Sequence, residues 1–326
     1  MLYTTLALLA AAGSALAQRP SNVSICDYYT TALLKNNTAK NQYTLLTLVV
    51  NTAVIGNYTT PNVGIAVNGI LNPGMYNGTQ VNLLPYFDGG LASTNSGGSA
   101  GVAQNFLDDG GAAPLKANLP ANGTSSAQFT LLTHLYQYFG TLLGCSLQGS
   151  SSDFPAYGGG ASQYSVHKYM DLDAFQLGYF ITQVGLSAAS FGVADADVTA
   201  VGEALAMYFD YKCSAATTII PAQGAQLQAI CINSECPTAP VNASCGSYGV
   251  ATEPAVANAS LAGGQGNASA TPATGSATVS VSATATGSGS ATGSAATAST
   301  TASGAYKVVG GFASLSAAVF AAVMLL

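Results

Sequence analysis

The chain has 326 residues, of which only 6% are charged, and a net charge of −6. No basic stretch offers a track for phosphates, which argues against any nucleic-acid role. Hydrophobic residues make up 49% of the chain, enough for a sizeable core, so sugars rather than charges are expected to keep it soluble.

The first residues, Met1-Leu2-Tyr3, lead into an apolar run from Leu6 to Ala12 and then Ala15-Leu16-Ala17. A short apolar segment closed by a small-x-small triplet is the pattern of a secretory signal peptide. Residues 1–17 are read as that signal, with cleavage after Ala17. Residues 18–250 are then the stretch able to fold, at a length that suits one domain.

Tyr29, Leu33, Leu45, Leu48, Val49, Thr52 and Ile55 keep partial helical spacing, interrupted by a polar patch from Asn36 to Asn41. Two helices are expected over residues 27–55. Residues 56–127 are rich in Gly, Asn and Pro, with short apolar pieces at Val63 to Val67 and Val81 to Phe87. This reads as a long irregular insertion holding one hairpin.

Residues 128–143 carry the cleanest period. Phe129, Leu132, Tyr136, Phe139 and Leu143 form one apolar stripe, and Leu131, Leu135, Tyr138 and Leu142 a second beside it. Such a helix is buried over most of its girth, with Thr130, Thr133, His134, Gln137 and Thr141 as its polar sector. Gly144 ends it. A short helix is expected over Ser162 to Met170, and Asp173 caps a helix bearing Phe175, Tyr179, Phe180, Ile181 and Val184. Asp195 or Asp197 caps a last helix with Val198, Val201, Leu205, Tyr208 and Phe209 on one face. The expected domain is mainly α with a loop-rich insertion.

Six cysteines stand at Cys26, Cys145, Cys213, Cys231, Cys236 and Cys245. An even set in a secreted chain implies disulfides, whose pairing sequence leaves open. The last four crowd at the end of the domain and are expected to staple a loop region there. Cys26 and Cys145 are candidates to join the first helix to the middle one. A zinc site would need reduced thiols and is disfavoured outside the cell. Eight Asn-x-Ser/Thr sequons, at Asn22, Asn36, Asn57, Asn77, Asn122, Asn242, Asn258 and Asn267, fit the same compartment.

Residues 251–306 are almost entirely Ala, Thr, Ser and Gly, a composition that buries no core and reads as an O-glycosylated, disordered stalk. Residues 307–326 form an apolar tail after Lys307. Small residues, a spacer and such a tail make the pattern of a GPI-attachment signal. Gly293-Ser294-Ala295 and Ser303-Gly304-Ala305 are the candidate attachment triplets, at Gly293 or Ser303. The expected address is the cell surface, held on the outer leaflet by a GPI lipid, with cell-wall polysaccharide as a neighbour. Signal, glycosylated domain, Ser/Thr stalk and tail in this order resemble fungal cell-surface proteins.

Gly97-Gly98-Ser99-Ala100-Gly101 matches the nucleophile elbow of serine hydrolases, but the residues before it are polar and Gly-rich where the elbow needs an apolar strand. Asp108 and Asp109 are adjacent and do not face each other across a substrate. Imidazole chemistry rests on the two histidines, His134 and His167. His167 falls on an apolar helix face between Val166 and Met170, whereas His134 shares the polar sector.

The run Leu142-Leu143-Gly144, Tyr157-Gly158, Ser165-Val166-His167-Lys168, Asp171-Leu172 and Phe175, continued by Phe191-Gly192-Val193, Asp197 and Val201 to Leu205, resembles the truncated haemoglobins. The resemblance implies a globin-like helical domain with haem as cofactor and His167 as its iron ligand. It implies that Phe139 and Tyr138 back the haem, that Leu131 and Leu135 lie on the distal helix face, and that His134 meets a propionate. The family's Phe-Tyr pair is not recognisable around Val49-Val50, which implies an apolar distal side. Under this reading the protein binds a diatomic ligand or acts in surface redox chemistry. The alternative is a haem-free structural or adhesive wall protein.

Overall fold

A computed structural model describes residues 19–59 and 63–262. The expected signal peptide, Asn267, both attachment triplets and the apolar tail lie outside the described residues. The described architecture is mainly α: seven helices and one two-stranded sheet. Among the described residues no helix is long and apolar enough to cross a membrane.

The first two helices are α1 (Ile25–Leu34) and α2 (Ala39–Ile55). Ser24 and Thr38 cap them, each side-chain oxygen accepting the N–H three residues on (Asp27 and Asn41). The break between them is Lys35 to Thr38, so the polar patch ends earlier than expected and Asn41 is helical. Helix α2 packs against α1, α4 (Ala127–Leu142) and α6 (Ala174–Ser190). Having neighbours on three sides, it buries polar residues as well as Leu45, Leu46, Val50 and Val54. The two large ones, Gln42 and Asn51, are paired, as burial demands. Gln42 donates to Asp27 (2.7 Å) and Asn37 (2.8 Å) and accepts from the Leu147 N–H (3.1 Å). Asn51 donates to the Leu115 carbonyl and accepts the Tyr136 hydroxyl at 2.5 Å.

The insertion is more ordered than its composition suggested. Strands β1 (Gly74–Tyr76) and β2 (Thr79–Val81) pair antiparallel, with Tyr76 opposite Thr79. Asn77 and Gly78 both have positive φ (48° and 82°), the type I′ turn that suits a two-residue hairpin loop. The expected hairpin of the insertion thus lies between its two apolar pieces, overlapping the second only at Val81. A short helix α3 (Ala112–Lys116), unforeseen from sequence, packs on α2. Ile70, Leu83, Tyr86, Leu91 and Leu115 from this stretch are buried in the core. The segment is part of the packed domain.

Gly69 closes the chain onto the end of α2. Its φ is +84°, and a Cβ there would approach the Ile55 carbonyl carbon to 2.6 Å. The obstacle is backbone, which cannot swing aside. Gly69→Ala is expected to cost more than about 2 kcal/mol in urea unfolding, from strain and overpacking together. A loss under about 0.5 kcal/mol would show that this junction is free to relax.

Helix α4 carries the two stripes read from its period, capped by Ser126. Asp108, at first merely half of an acidic pair, accepts the Ala127 and Gln128 N–H groups (3.1 and 2.9 Å), placing its charge at the positive end of α4. Gly144 follows the helix with φ 72°. The short helix α5 (Gln163–His167) is half the expected length. Helix α6 begins with a capping box of Asp173 and Gln176. Helix α7 (Asp195–Phe209) packs on α6, but its N-cap is Ala194, without a side-chain bond. The expected caps serve otherwise: Asp195 and Asp197 sit within the first turn. Asp197 is bound instead by Arg19 (2.7 and 3.0 Å) and the Tyr29 hydroxyl (2.9 Å), which ties the start of the described chain to α1 and α7. Burial, with the Asp197 charge adding to it, pushes the Tyr29 phenol up to about 12.

The disulfides are Cys26–Cys145, Cys213–Cys245 and Cys231–Cys236. The first joins α1 to the end of α4, and the other two hold the segment after α7. That segment does not end at residue 250. Ala92 donates to Ala255, and Ala257 and Asn258 donate to Gly90, so the chain stays attached beyond the expected boundary.

Candidate functional site around His167 and Tyr138

The residues singled out by the resemblance fall into two adjoining regions. Helix α4 faces both. Leu135 and Phe139 help line an apolar cavity of about 60 Å³. Its other walls are α1, α2, α6 and α7, through residues such as Ile25, Leu46, Phe180 and Val198. Tyr29 is the hydroxyl-bearing residue of the lining, and its hydroxyl is already engaged by Asp197 and Ala194.

One position along α4, Tyr138 turns toward Tyr157 (ring centroids 5.4 Å apart) and Phe209 of α7 (6.2 Å). It is 6% exposed, yet its hydroxyl has no hydrogen-bond partner among the described residues. A buried hydroxyl without a partner costs about 1–3 kcal/mol, so it needs a physical reason. His134 is half-buried, edge-on to Tyr157 at 6.0 Å, and burial lowers its pKa. The polar sector of α4 is thus covered in part by the 157–160 turn, and Gln137 within it is buried, accepting the Gly158 N–H at 2.9 Å. Leu131 is half-buried against the core.

His167 ends α5. Its Nδ1 lies 2.8 Å from the Gln163 carbonyl one turn back. A carbonyl only accepts, so Nδ1 carries the proton and Nε2 is left with its lone pair. Nε2 has no partner among the described residues. The ring is half-buried, and burial lowers its pKa against the opposing effect of the Gln163 carbonyl, favouring the neutral form. Gln163 itself reaches the Tyr157 hydroxyl through Nε2 at 3.4 Å. Tyr157 therefore links both candidate histidines and Tyr138: it touches His134 and Tyr138 by its ring and α5 by its hydroxyl. His167 does not line the apolar cavity.

Two residues here were missed in the sequence. Tyr157 was read only as part of a turn, and its role depends on a contact across 19 residues with Tyr138. Asp210, just past α7, is the other. Its Oδ1 is buried without a partner among the described residues, and burial raises its pKa to about 6. The folded state then holds a proton that the unfolded chain, with an ordinary carboxyl, releases. Stability is expected to be highest below about pH 4 as far as this group is concerned, and to fall as pH rises through about 6. Asp210→Asn should stabilise the protein by about 1–2 kcal/mol at pH 7 and flatten this part of the profile in thermal unfolding. An unchanged profile would mean that Asp210 is solvated.

Ser99 is exposed on a turn between Thr94 and Val102, which bridge to each other, and no helix follows it. Of the eight sequon asparagines, the seven in the described residues (Asn22, Asn36, Asn57, Asn77, Asn122, Asn242 and Asn258) are all exposed. No protein-family model matches the chain, and neither a curated protein nor a solved structure matches it.

Proposed function

We propose that the domain binds haem through His167 Nε2, outside the cell, and presents a diatomic ligand site or a redox centre there. The observation that carries this reading is the His167 ring itself. A histidine that ligates a metal gives its other ring N–H to a fixed acceptor, which sets the tautomer and aims the free nitrogen. The Gln163 carbonyl at 2.8 Å does this for His167, and burial keeps the ring neutral.

His167 and Tyr138 suit such a group by donor type, but the cavity of about 60 Å³ beside Leu135 and Phe139 has no room for a porphyrin and His167 does not line it, so haem would enter only if the helices around it moved apart. The unpartnered, buried Tyr138 hydroxyl is a polar atom in want of a neighbour. Leu131, Leu135 and Phe139 supply apolar surface, and His134 offers a neutral donor or acceptor at the edge of the same helix. Haem, when bound, supplies an iron that takes a small ligand or exchanges an electron. The chain's own contribution is to orient one imidazole, exclude water with aliphatic and aromatic side chains, and leave the cavity beside Leu135 and Phe139 without a free hydroxyl. An apolar cavity of that kind stays dry and admits small uncharged molecules.

The extracellular address is supported by three disulfides, with no free cysteine among the described residues, and by the exposure of the sequon asparagines. In this reading the Ser/Thr stalk and a GPI lipid at Gly293 or Ser303 hold the domain at the surface. The test is a visible spectrum of the secreted chain titrated with haem, wild type against His167→Ala.

A further inference from the structure

On the side of α4 away from Tyr138 lies a second depression, an open groove of about 360 Å³ between α2, α4 and the loop after Cys145. Its walls mix aromatic rings with polar groups. Tyr43 comes from α2, Phe129, Thr133 and Gln137 from α4, and Ser152 and Asp153 from the loop. The Tyr43 ring is held in place by T-shaped contacts with Tyr136 and Phe154, each 5.5 Å away. Its hydroxyl has no partner in the described chain, nor has the Asp153 carboxylate or the Ser152 hydroxyl.

Gln137 adds an independent observation. It is only 8% exposed, and its Oε1 is fixed by the Gly158 N–H at 2.9 Å. The oxygen must face that donor, so the amide nitrogen is the end left over, and it bonds to nothing in the described chain. That nitrogen is not shut off from solvent, so on the groove wall it is free to donate to water or to an occupant that brings an acceptor.

We propose that this groove binds a neutral saccharide unit. The apolar C–H face of a pyranose packs on a fixed aromatic ring. Its hydroxyls both accept, as Gln137 Nε2 requires, and donate, as the Asp153 carboxylate requires. The groove is lined by a carboxylate and no cation, which disfavours phosphates, sulfates and acidic sugars. An organic cation would suit Asp153 and the rings but would bring only donors or methyl groups and so would make no use of the Gln137 donor, whereas a saccharide uses both. The volume lies near the lower end of small-ligand sites, the scale of one or two sugar rings. The proposal depends on the groove alone and is independent of haem at His167.

The experiment is calorimetric titration of the full secreted chain, without added haem, with three neutral hexamers: β-1,3-linked glucose, α-linked mannose and β-1,4-linked N-acetylglucosamine. One of them is expected to bind, with affinity falling about tenfold in Asp153→Asn and less in Tyr43→Phe. Both variants should unfold at the wild-type temperature within a few degrees. His167→Ala should leave the affinity unchanged, which separates this site from the haem reading. A gain in affinity after enzymatic removal of the N-glycans would identify the chain's own glycan as the resident saccharide, and an equal affinity would identify a free polysaccharide. No binding by any hexamer before or after glycan removal overturns the proposal. So does binding that both variants leave unchanged, or saturable binding of tetramethylammonium in place of sugar.

Discussion

Replacing Cys26 and Cys145 together by serine is expected to destabilise the domain by about 4–5 kcal/mol, the largest loss of any disulfide in the chain. The reason lies in the unfolded state. The bond spans a sequence separation of 119, against 32 for Cys213–Cys245 and 5 for Cys231–Cys236. Loop-closure entropy grows with the logarithm of that length, which gives about 3–4 kcal/mol for the second bond and about 2 kcal/mol for the third. The folded state works in the same direction. The Cys26 N–H donates to Leu143 (3.0 Å), and Asp27 accepts from both Ser146 (3.1 Å) and Gln42. Losing the bond therefore frees a junction on which α1, α2 and the end of α4 all depend. Denaturant midpoints of the three double-serine variants check the order. If removing Cys231–Cys236 cost as much as removing Cys26–Cys145, chain entropy would not be the governing term.

That junction also shows what the sequence made legible. The two stripes of α4 were visible because a helix buried on several sides repeats its apolar residues at two adjacent phases. The capping box at Asp173 was half visible as a single acidic residue before an apolar run. One hairpin within residues 56–127 was readable, but its position was not: the decisive local signal is Asn77-Gly78, whose positive φ values at both positions are those of a type I′ turn. Tyr76 and Tyr179 made that hairpin part of the core. Tyr76 lies against Gly178, and the Tyr179 hydroxyl, close to Gly74, donates to the Gly69 and Asn72 carbonyls. No window of sequence contains such contacts.

Asp108 and Asp197 make the same point for charged residues. Each looked like a local feature, one an acidic pair, the other a cap. Each is instead paired across the fold, with the α4 N-terminus or with Arg19 and Tyr29. At the candidate site, the apolar flanks of His167 were readable from its neighbours. The bond from Nδ1 to Gln163 was not, because it depends on α5 ending where it does. The unpartnered Tyr138 hydroxyl was equally hidden, since tyrosine on a buried stripe ordinarily finds an acceptor.

The second large effect concerns His167. Outer partners of a metal ligand typically change metal affinity by about 10–100-fold when removed, so loss of the ligand itself should exceed about 100-fold. His167→Ala is expected to abolish haem retention, whereas His134→Ala, which removes only a half-buried ring beside Tyr157, should leave it largely intact. The fold should survive both changes, because the one hydrogen bond of the His167 side chain is to its own helix turn. Far-ultraviolet circular dichroism of both variants checks this.

The most direct measurement is the visible absorption of the purified secreted chain as haem is added in equal proportion. The account predicts a Soret band that survives gel filtration with the protein, is present in His134→Ala and is absent in His167→Ala. A chain that emerges from the column colourless, or a His167→Ala variant that keeps the band, would contradict it.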